Sequence, residues 1–216
     1  MAYEPVKDAV GNTVLKMDKT EQTLEYYQKN AEAFCGATVS ADMQDARARF
    51  LQCLPEKAHI LDQGCGSGRD TREFLMEGYT VDAVDGSEEL CKRAATYTGI
   101  PVKKMLFSEL SEINRYDGVW ACASILHLEK TELSDVLIKV SGALKENGIL
   151  YASFKYGTFE GLRNGRYFTD FTEDTLAEFM TGVGSLTVFD QWITGDVRSG
   201  REEERWINIL ARRVWR

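Results

Sequence analysis

The chain has 216 residues, 44% hydrophobic, 28% charged and 11% aromatic. That is enough apolar material for one sizeable core and too little bias for a disordered or fibrous chain, so a single domain over 1–216 is the economical expectation. A formal charge of −8 disfavours indiscriminate binding to nucleic acid or an anionic membrane, while leaving open a local basic patch that recognises one tRNA.

The opening residues, MAYEPVKDAVGNTV, lack a basic segment followed by an apolar one, and nowhere is there an uncharged apolar run long enough for a bilayer. A soluble, cytoplasmic protein with no membrane partner is expected, as monomer or homodimer. After a polar stretch to about Lys19, an amphipathic helix is predicted over 20–34, with Leu24, Tyr27, Ala31 and Phe34 on one face. A second helix over 41–53 turns Phe50 and Leu51 inward, so residues 1–55 read as a helical cap or lid on a core over 56–216. The five cysteines, Cys35, Cys53, Cys65, Cys91 and Cys122, include no C-x-x-C pair, so neither a disulfide framework nor a metal site is expected.

From His59 the pattern alternates: strand 59–63, helix 70–77, strand 80–84, helix 87–97, strands 102–107 and 117–122, helix 132–145, strand 148–154. Such alternation predicts an α/β fold, a parallel sheet with helices on both faces. A helix over 173–181, capped by Thr172, precedes strands over 186–193 and 205–212 that are close enough to pair antiparallel.

The first strand leads into the most informative segment, Ile60-Leu-Asp62-Gln-Gly64-Cys-Gly66-Ser-Gly68-Arg69-Asp70. Three alternating glycines after a strand-end acid let main chain approach a ligand that any larger side chain would displace. A dinucleotide fingerprint spaces its glycines G-x-G-x-x-G, and here Arg69 stands at the third of them, which argues against a nicotinamide dehydrogenase. Asp70 reads as a first-turn acid that suits the helix dipole. The second strand ends at Asp85-Gly86-Ser87, about twenty residues past the first glycine, the βαβ distance at which a carboxylate accepts hydrogen bonds from ribose hydroxyls. Asp82, inside the strand, is less suited to that role.

Asp62-x-Gly64-x-Gly66-x-Gly68 resembles the first motif of the class I S-adenosylmethionine-dependent methyltransferases, (Asp/Glu)-x-Gly-x-Gly-x-Gly, and the likeness extends over about residues 20–213. It implies a Rossmann-like, doubly wound sheet of seven strands in order 3-2-1-4-5-7-6, the last antiparallel, and S-adenosylmethionine as cofactor with S-adenosylhomocysteine as product. The Gly-Ser-Gly-Arg-Asp variant and the segment Gly165-Arg-Tyr-Phe-Thr169 look most like small bacterial members labelled as related to tellurite resistance.

Carried onto this chain, the resemblance implies that Asp62, Gly64, Gly66, Gly68, Asp85, Gly86 and Ser87 contact the cofactor. Leu106 and Phe107 flank the adenine or belong to the core, and Ser108 or Glu109 reaches its amine. Ala121 and Cys122 leave room beneath the methionine part. Tyr27 hydrogen-bonds the cofactor carboxylate from a folded-over lid, or its helix merely docks on the sheet, and Arg69 competes for that carboxylate. His127 is a base or a packing histidine. After the fifth strand, Lys155, Arg163, Arg166 and Tyr167 either receive an anionic acceptor or form a solvated loop, with Arg198, Arg201 and Arg205 converging from the terminal strands. The expected activity is methyl transfer to a small metabolite, anionic if those residues face the pocket. The alternatives are a tRNA-modifying methyltransferase, which needs the basic residues on one continuous face, and a cofactor-binding protein without catalysis.

Overall fold

The computed structural model describes residues 4–7, 13–198 and 200–214, with side chains from Met17 onward. A two-stranded antiparallel sheet, β1 (Glu4–Lys7) and β2 (Thr13–Lys16), lies where only a polar lead was expected. It is followed by α1 (Lys19–Thr38), which bends at Asn30, and α2 (Gln44–Leu51). The core then runs β3 (His59–Gln63), α3 (Arg69–Met76), β4 (Thr80–Asp85), α4 (Glu88–Thr98), β5 (Val102–Lys104), β6 (Tyr116–Ala121), α5 (Lys130–Ala143) and β7 (Leu144–Lys155). It closes with β8 (Glu160–Arg163), β9 (Arg166–Thr169), α6 (Glu173–Val183), β10 (Leu186–Gly195) and β11 (Arg205–Arg213).

Seven strands form one sheet in the order β10-β11-β7-β6-β3-β4-β5, with β11 antiparallel to both neighbours and the others parallel. Counted along the core this is 3-2-1-4-5-7-6, as the motif resemblance implied. Both faces are covered, and the strand period of two divides the apolar residues between them. Val119 and Ala121 of β6 pack toward α5 and α6, together with Leu150, Ala152 and Ile209. Trp120, Tyr151 and Leu210, each offset by one, face α2 with Phe50 and Phe74. The Trp120 and Tyr151 rings stack 3.8 Å apart, and Gly118 leaves room for Phe50, whose ring would lie 2.5 Å from an added Cβ.

The expected strand over 102–107 stops at Lys104, since Phe107–Glu109 form a single 3-10 turn in which the Glu109 carboxylate accepts the Leu106 N–H at 2.7 Å. The insertion after the fifth strand is a hairpin, β8 and β9, whose turn residues Asn164 and Gly165 both take positive φ, 52° and 75°. Asn-Gly is the preferred pair for such a two-residue turn, so the signal was present in the sequence. Thr172 and Ser87 cap α6 and α4 by accepting the N–H three residues on. Among the described residues no helix is long and apolar enough to cross a membrane.

Candidate functional site

The parallel strands β3, β4, β6 and β7 end at one edge of the sheet, which gathers their terminal residues around a cavity of about 460 Å³. Gly64 and Gly66 take φ of 82° and 56°. A Cβ on Gly64 would stand 2.5 Å from the Ser124 Cβ, and one on Gly66 3.0 Å from the Phe34 ring. The loop is therefore bare main chain pressed between the end of β6 and α1. Asp85 is buried, and its two carboxylate oxygens accept the N–H groups of Gly66 at 3.0 Å and Ser87 at 2.8 Å. A carboxylate has about four lone-pair positions, so each oxygen can still accept a hydroxyl. Burial pushes Asp85 up to about 6 in spite of the backbone amides.

Asp62 lies beneath the loop and accepts the Thr71 hydroxyl at 2.5 Å; burial and the neighbouring charge of Asp70 push it up to about 7. Asp70 is in the first turn of α3, as expected, and is also a buried hub. It accepts from Arg47 Nη1 at 2.9 Å, Arg69 Nε and Nη2 at 3.0 and 2.6 Å, and Trp120 Nε1 at 2.9 Å. Burial alone would raise its pKa, but the two guanidiniums and the indole hold it below the usual carboxylate range. Arg69 is thereby fixed on the cavity wall, where it also approaches the Thr38 carbonyl and the Cys122 sulfur. The Cys122 thiol is pushed up to about 12 by burial and by Asp70, so it is no nucleophile.

His127 sits between α1 and β9. Its Nδ1 is 2.6 Å from the Tyr167 carbonyl oxygen, an acceptor, so Nδ1 carries the proton and Nε2 accepts the Tyr27 hydroxyl at 2.8 Å. Burial lowers His127 to about 4, with the charges of Arg166 and Arg163 acting in the same direction, so at neutral pH it is an uncharged acceptor that orients Tyr27. The Tyr27 oxygen in turn accepts from Arg166 Nη1 at 3.4 Å.

Of the candidate residues, Tyr27, Asp62, Gly64, Gly66, Arg69, Asp85, Gly86, Leu106, Phe107, Ser108, Cys122, His127, Lys155 and Arg166 line this one cavity. Five candidates stand behind or beside it. Gly68 starts α3, Ser87 caps α4, and Ala121 is fully buried in the core. Arg163 turns to Asp170, at 2.8 and 3.1 Å, and Tyr167 spends its hydroxyl on Glu160 while contributing its carbonyl to His127. Lys155 is ion-paired with Asp196 and Glu204, and burial lowers it to about 8. Arg198 binds Asp196, and Arg201 binds Glu204. Sequence reasoning missed Thr20 and Thr23 of α1, Ser124, Asp135 of α5, and Asp196 with Trp206 of the terminal strands, all of which line the cavity. They belong to no local motif and come together only through the sheet.

The cavity wall is divided by charge. Around the glycine loop and α5 it carries Asp62, Asp70, Asp85, Glu132 and Asp135 against Arg69 and Lys139; toward β9, β10 and β11 it carries Lys155, Arg166, Arg198 and Arg201 against Asp196.

A family model described as a methyltransferase domain matches residues 60–148, the span from the glycine loop to the start of β7. Over nearly its whole length the chain superposes on solved methyltransferases. One is 1,6-didemethyltoxoflavin-N1-methyltransferase of Burkholderia thailandensis, with bound 1,6-didemethyltoxoflavin and S-adenosylhomocysteine: TM-score 0.72, 24% identity, covering 89% of this chain and 85% of that one. Another is magnesium protoporphyrin IX methyltransferase of Synechocystis, with bound S-adenosylmethionine: TM-score 0.68, 16% identity, covering 94% of this chain and 100% of that one. The fold is thus the Rossmann-like fold of class I methyltransferases. Among curated proteins, human N-terminal Xaa-Pro-Lys N-methyltransferase 1 is 33% identical over 129 residues, 53% of this chain. The match covers 58% of that relative, so this chain spans under two thirds of its length.

Proposed function

We propose that the chain is an S-adenosylmethionine-dependent methyltransferase that acts on a small anionic acceptor and releases S-adenosylhomocysteine. The observation that carries this reading is the charge division of one cavity: an acidic half around a glycine loop that a Cβ would fill, and a basic half facing it. The acidic half fits a nucleoside cofactor whose far end is cationic. Asp85 would hold the ribose hydroxyls, Leu106 and Phe107 would flank the adenine, and Asp62 and Arg69 would face the amino-acid end. When bound, that cofactor supplies a sulfonium methyl group open to in-line displacement by a nucleophile. The protein's own work is alignment and the exclusion of water, worth up to about 7–11 kcal/mol in favourable cases. His127, buried and neutral, holds Tyr27 in place rather than acting as a strong base.

A peptide N-terminus followed by a lysine is cationic and would meet Arg166, whose charge no carboxylate among the described residues matches, which weighs against the substrate that the human relative's name describes. The tRNA alternative needs a continuous basic face, and of its five residues Lys155, Arg163, Arg198 and Arg201 are matched to carboxylates. The tellurite-related subtype rests on two short segments, Gly66–Asp70 and Gly165–Thr169, and leaves the substrate open.

Calorimetric titration with S-adenosylmethionine and S-adenosylhomocysteine tests the reading. Micromolar binding of both, lost in Asp85→Ala, is the expected outcome; no binding of either withdraws the enzyme reading. Tight binding without turnover on any panel of nucleophiles favours the non-catalytic alternative.

A further inference from the structure

We propose that Arg166 and the Tyr27 hydroxyl oxygen form a subsite for a carboxylate with an adjacent N–H or O–H donor, and that the molecule it takes is the methyl acceptor, an aromatic acid carrying an amino or hydroxyl group beside its carboxylate. The proposal rests on the methyltransferase reading and deepens it.

The first support is charge. Of the four basic groups on the cavity's basic wall, Lys155, Arg198 and Arg201 each have a carboxylate partner. Arg166 has none among the described residues, and its Nε is buried without a hydrogen-bond partner. A buried N–H left without a partner on a half-buried guanidinium is costly unless a bound acceptor completes it. Its plane is held by aromatic rings, 4.3 Å from the centroid of Tyr26 and 5.1 Å from that of Phe168, so the fork is oriented before any ligand arrives.

The second support is the direction of one proton. His127 Nδ1 donates to the Tyr167 carbonyl, so Nε2 accepts the Tyr27 O–H, and the Tyr27 oxygen turns its lone pairs to the cavity, one of them toward Arg166 Nη1. A carboxylate is repelled by such an oxygen; an N–H or O–H is attracted. Arg166 Nη1 and Tyr27 Oη are 3.4 Å apart, so an acceptor of donors and a donor to anions stand side by side, and one small molecule with adjacent groups satisfies both. Phe168, whose ring packs against both Arg166 and His127, makes the wall beside the pair apolar, which suits an aromatic body. The cofactor's amino-acid tail carries the same pair of groups and is the competing occupant that the test below separates: Arg69, on the glycine loop, has its nitrogens on Asp70 and the Thr38 carbonyl, and Arg166 belongs to the hairpin opposite that loop.

The test is titration of the protein, saturated with S-adenosylhomocysteine, with 2-aminobenzoate, 2-hydroxybenzoate, benzoate and benzamide. The two substituted acids should bind, benzoate about tenfold more weakly, and benzamide not at all. Arg166→Met should weaken the acids by about tenfold to a hundredfold, Arg166→Lys should recover part of the loss, and neither should alter S-adenosylhomocysteine affinity. Tyr27→Phe should erase the preference for 2-aminobenzoate over benzoate, an outcome independent of how Arg166→Met folds. The proposal is overturned if none of the acids binds, or if Arg166→Met leaves their binding unchanged. It is overturned too if Arg166→Met weakens S-adenosylhomocysteine but not 5′-methylthioadenosine, which lacks the tail, since the cofactor would then own the subsite. Failure of the unsubstituted protein to bind S-adenosylhomocysteine at all would instead remove the methyltransferase reading beneath it.

Discussion

Asp62 ends β3 under the glycine loop with 2% of its surface exposed and a pKa pushed to about 7. Its value in an unfolded chain is near 3.8, so between pH 4 and 7 the folded state holds a proton that the unfolded state has released. Stability from this group is therefore present at low pH and is lost as pH rises through 7. Asp62→Asn keeps an acceptor for Thr71 and removes the buried charge. In urea unfolding at pH 8 the cofactor-free variant should be more stable than the parent by about 1–3 kcal/mol, with the gap closing toward pH 4. The same change should weaken S-adenosylmethionine binding, since a site that holds a cationic ligand end stores the cost of an unpaired acid. Equal stability of the two proteins at pH 8 would mean that the carboxylate is not strained in the free protein. Asp62 and Asp85 were legible in the sequence because a strand end and a fixed βαβ distance place them. The hub that Asp70 forms was not: its partners Arg47 and Trp120 lie 23 and 50 residues away and meet it only once α2, α3 and β6 have packed.

At the scale of elements, the cavity is roofed by α1 and β9. Thr23 accepts the Tyr167 N–H at 3.0 Å, Tyr27 reaches His127, Gln28 accepts from Ser87, and Lys19 pairs with Glu129. The roof also fits the loop at the end of β4, where a Cβ on Gly86 would stand 2.5 Å from Leu24 Cδ2. Gly86→Ala should therefore push the Leu24 side chain aside and cost about 1 kcal/mol, read as a lower Tm and weaker S-adenosylhomocysteine binding. Adding Leu24→Ala removes the clashing atom and should recover part of both losses, a coupling that a purely local backbone effect would not produce. The amphipathic face of α1 was legible from its 3.6-residue period. The β8–β9 hairpin was passed over in spite of its Asn-Gly turn, because the segment is polar and short and pairs only with itself, outside the alternation that organises the sheet.

For the molecule as a whole, a ligand bound only by the folded state raises stability by mass action. At a hundredfold excess over its Kd, S-adenosylhomocysteine should add about 2.7 kcal/mol and raise Tm by about 5–10 °C in a chain of this size, and Asp85→Ala should show no such shift. A formal charge of −8 had pointed away from anionic partners, yet the cavity's second half is basic. Net charge is a sum over the surface, whereas a site depends on which few charges face each other. The alternating core, the order of its elements, the glycine loop and the two strand-end acids can be read along the chain, because each depends on residues within a turn, a strand or one βαβ unit. The roof, the Asp70 hub, the division of the cavity into acidic and basic halves, and the proton that joins Tyr27 to His127 were decided by tertiary structure alone. Their members are up to about 140 residues apart, as with Tyr27 and Arg166, and no local period or spacing records a contact that exists only when the sheet brings its edges together.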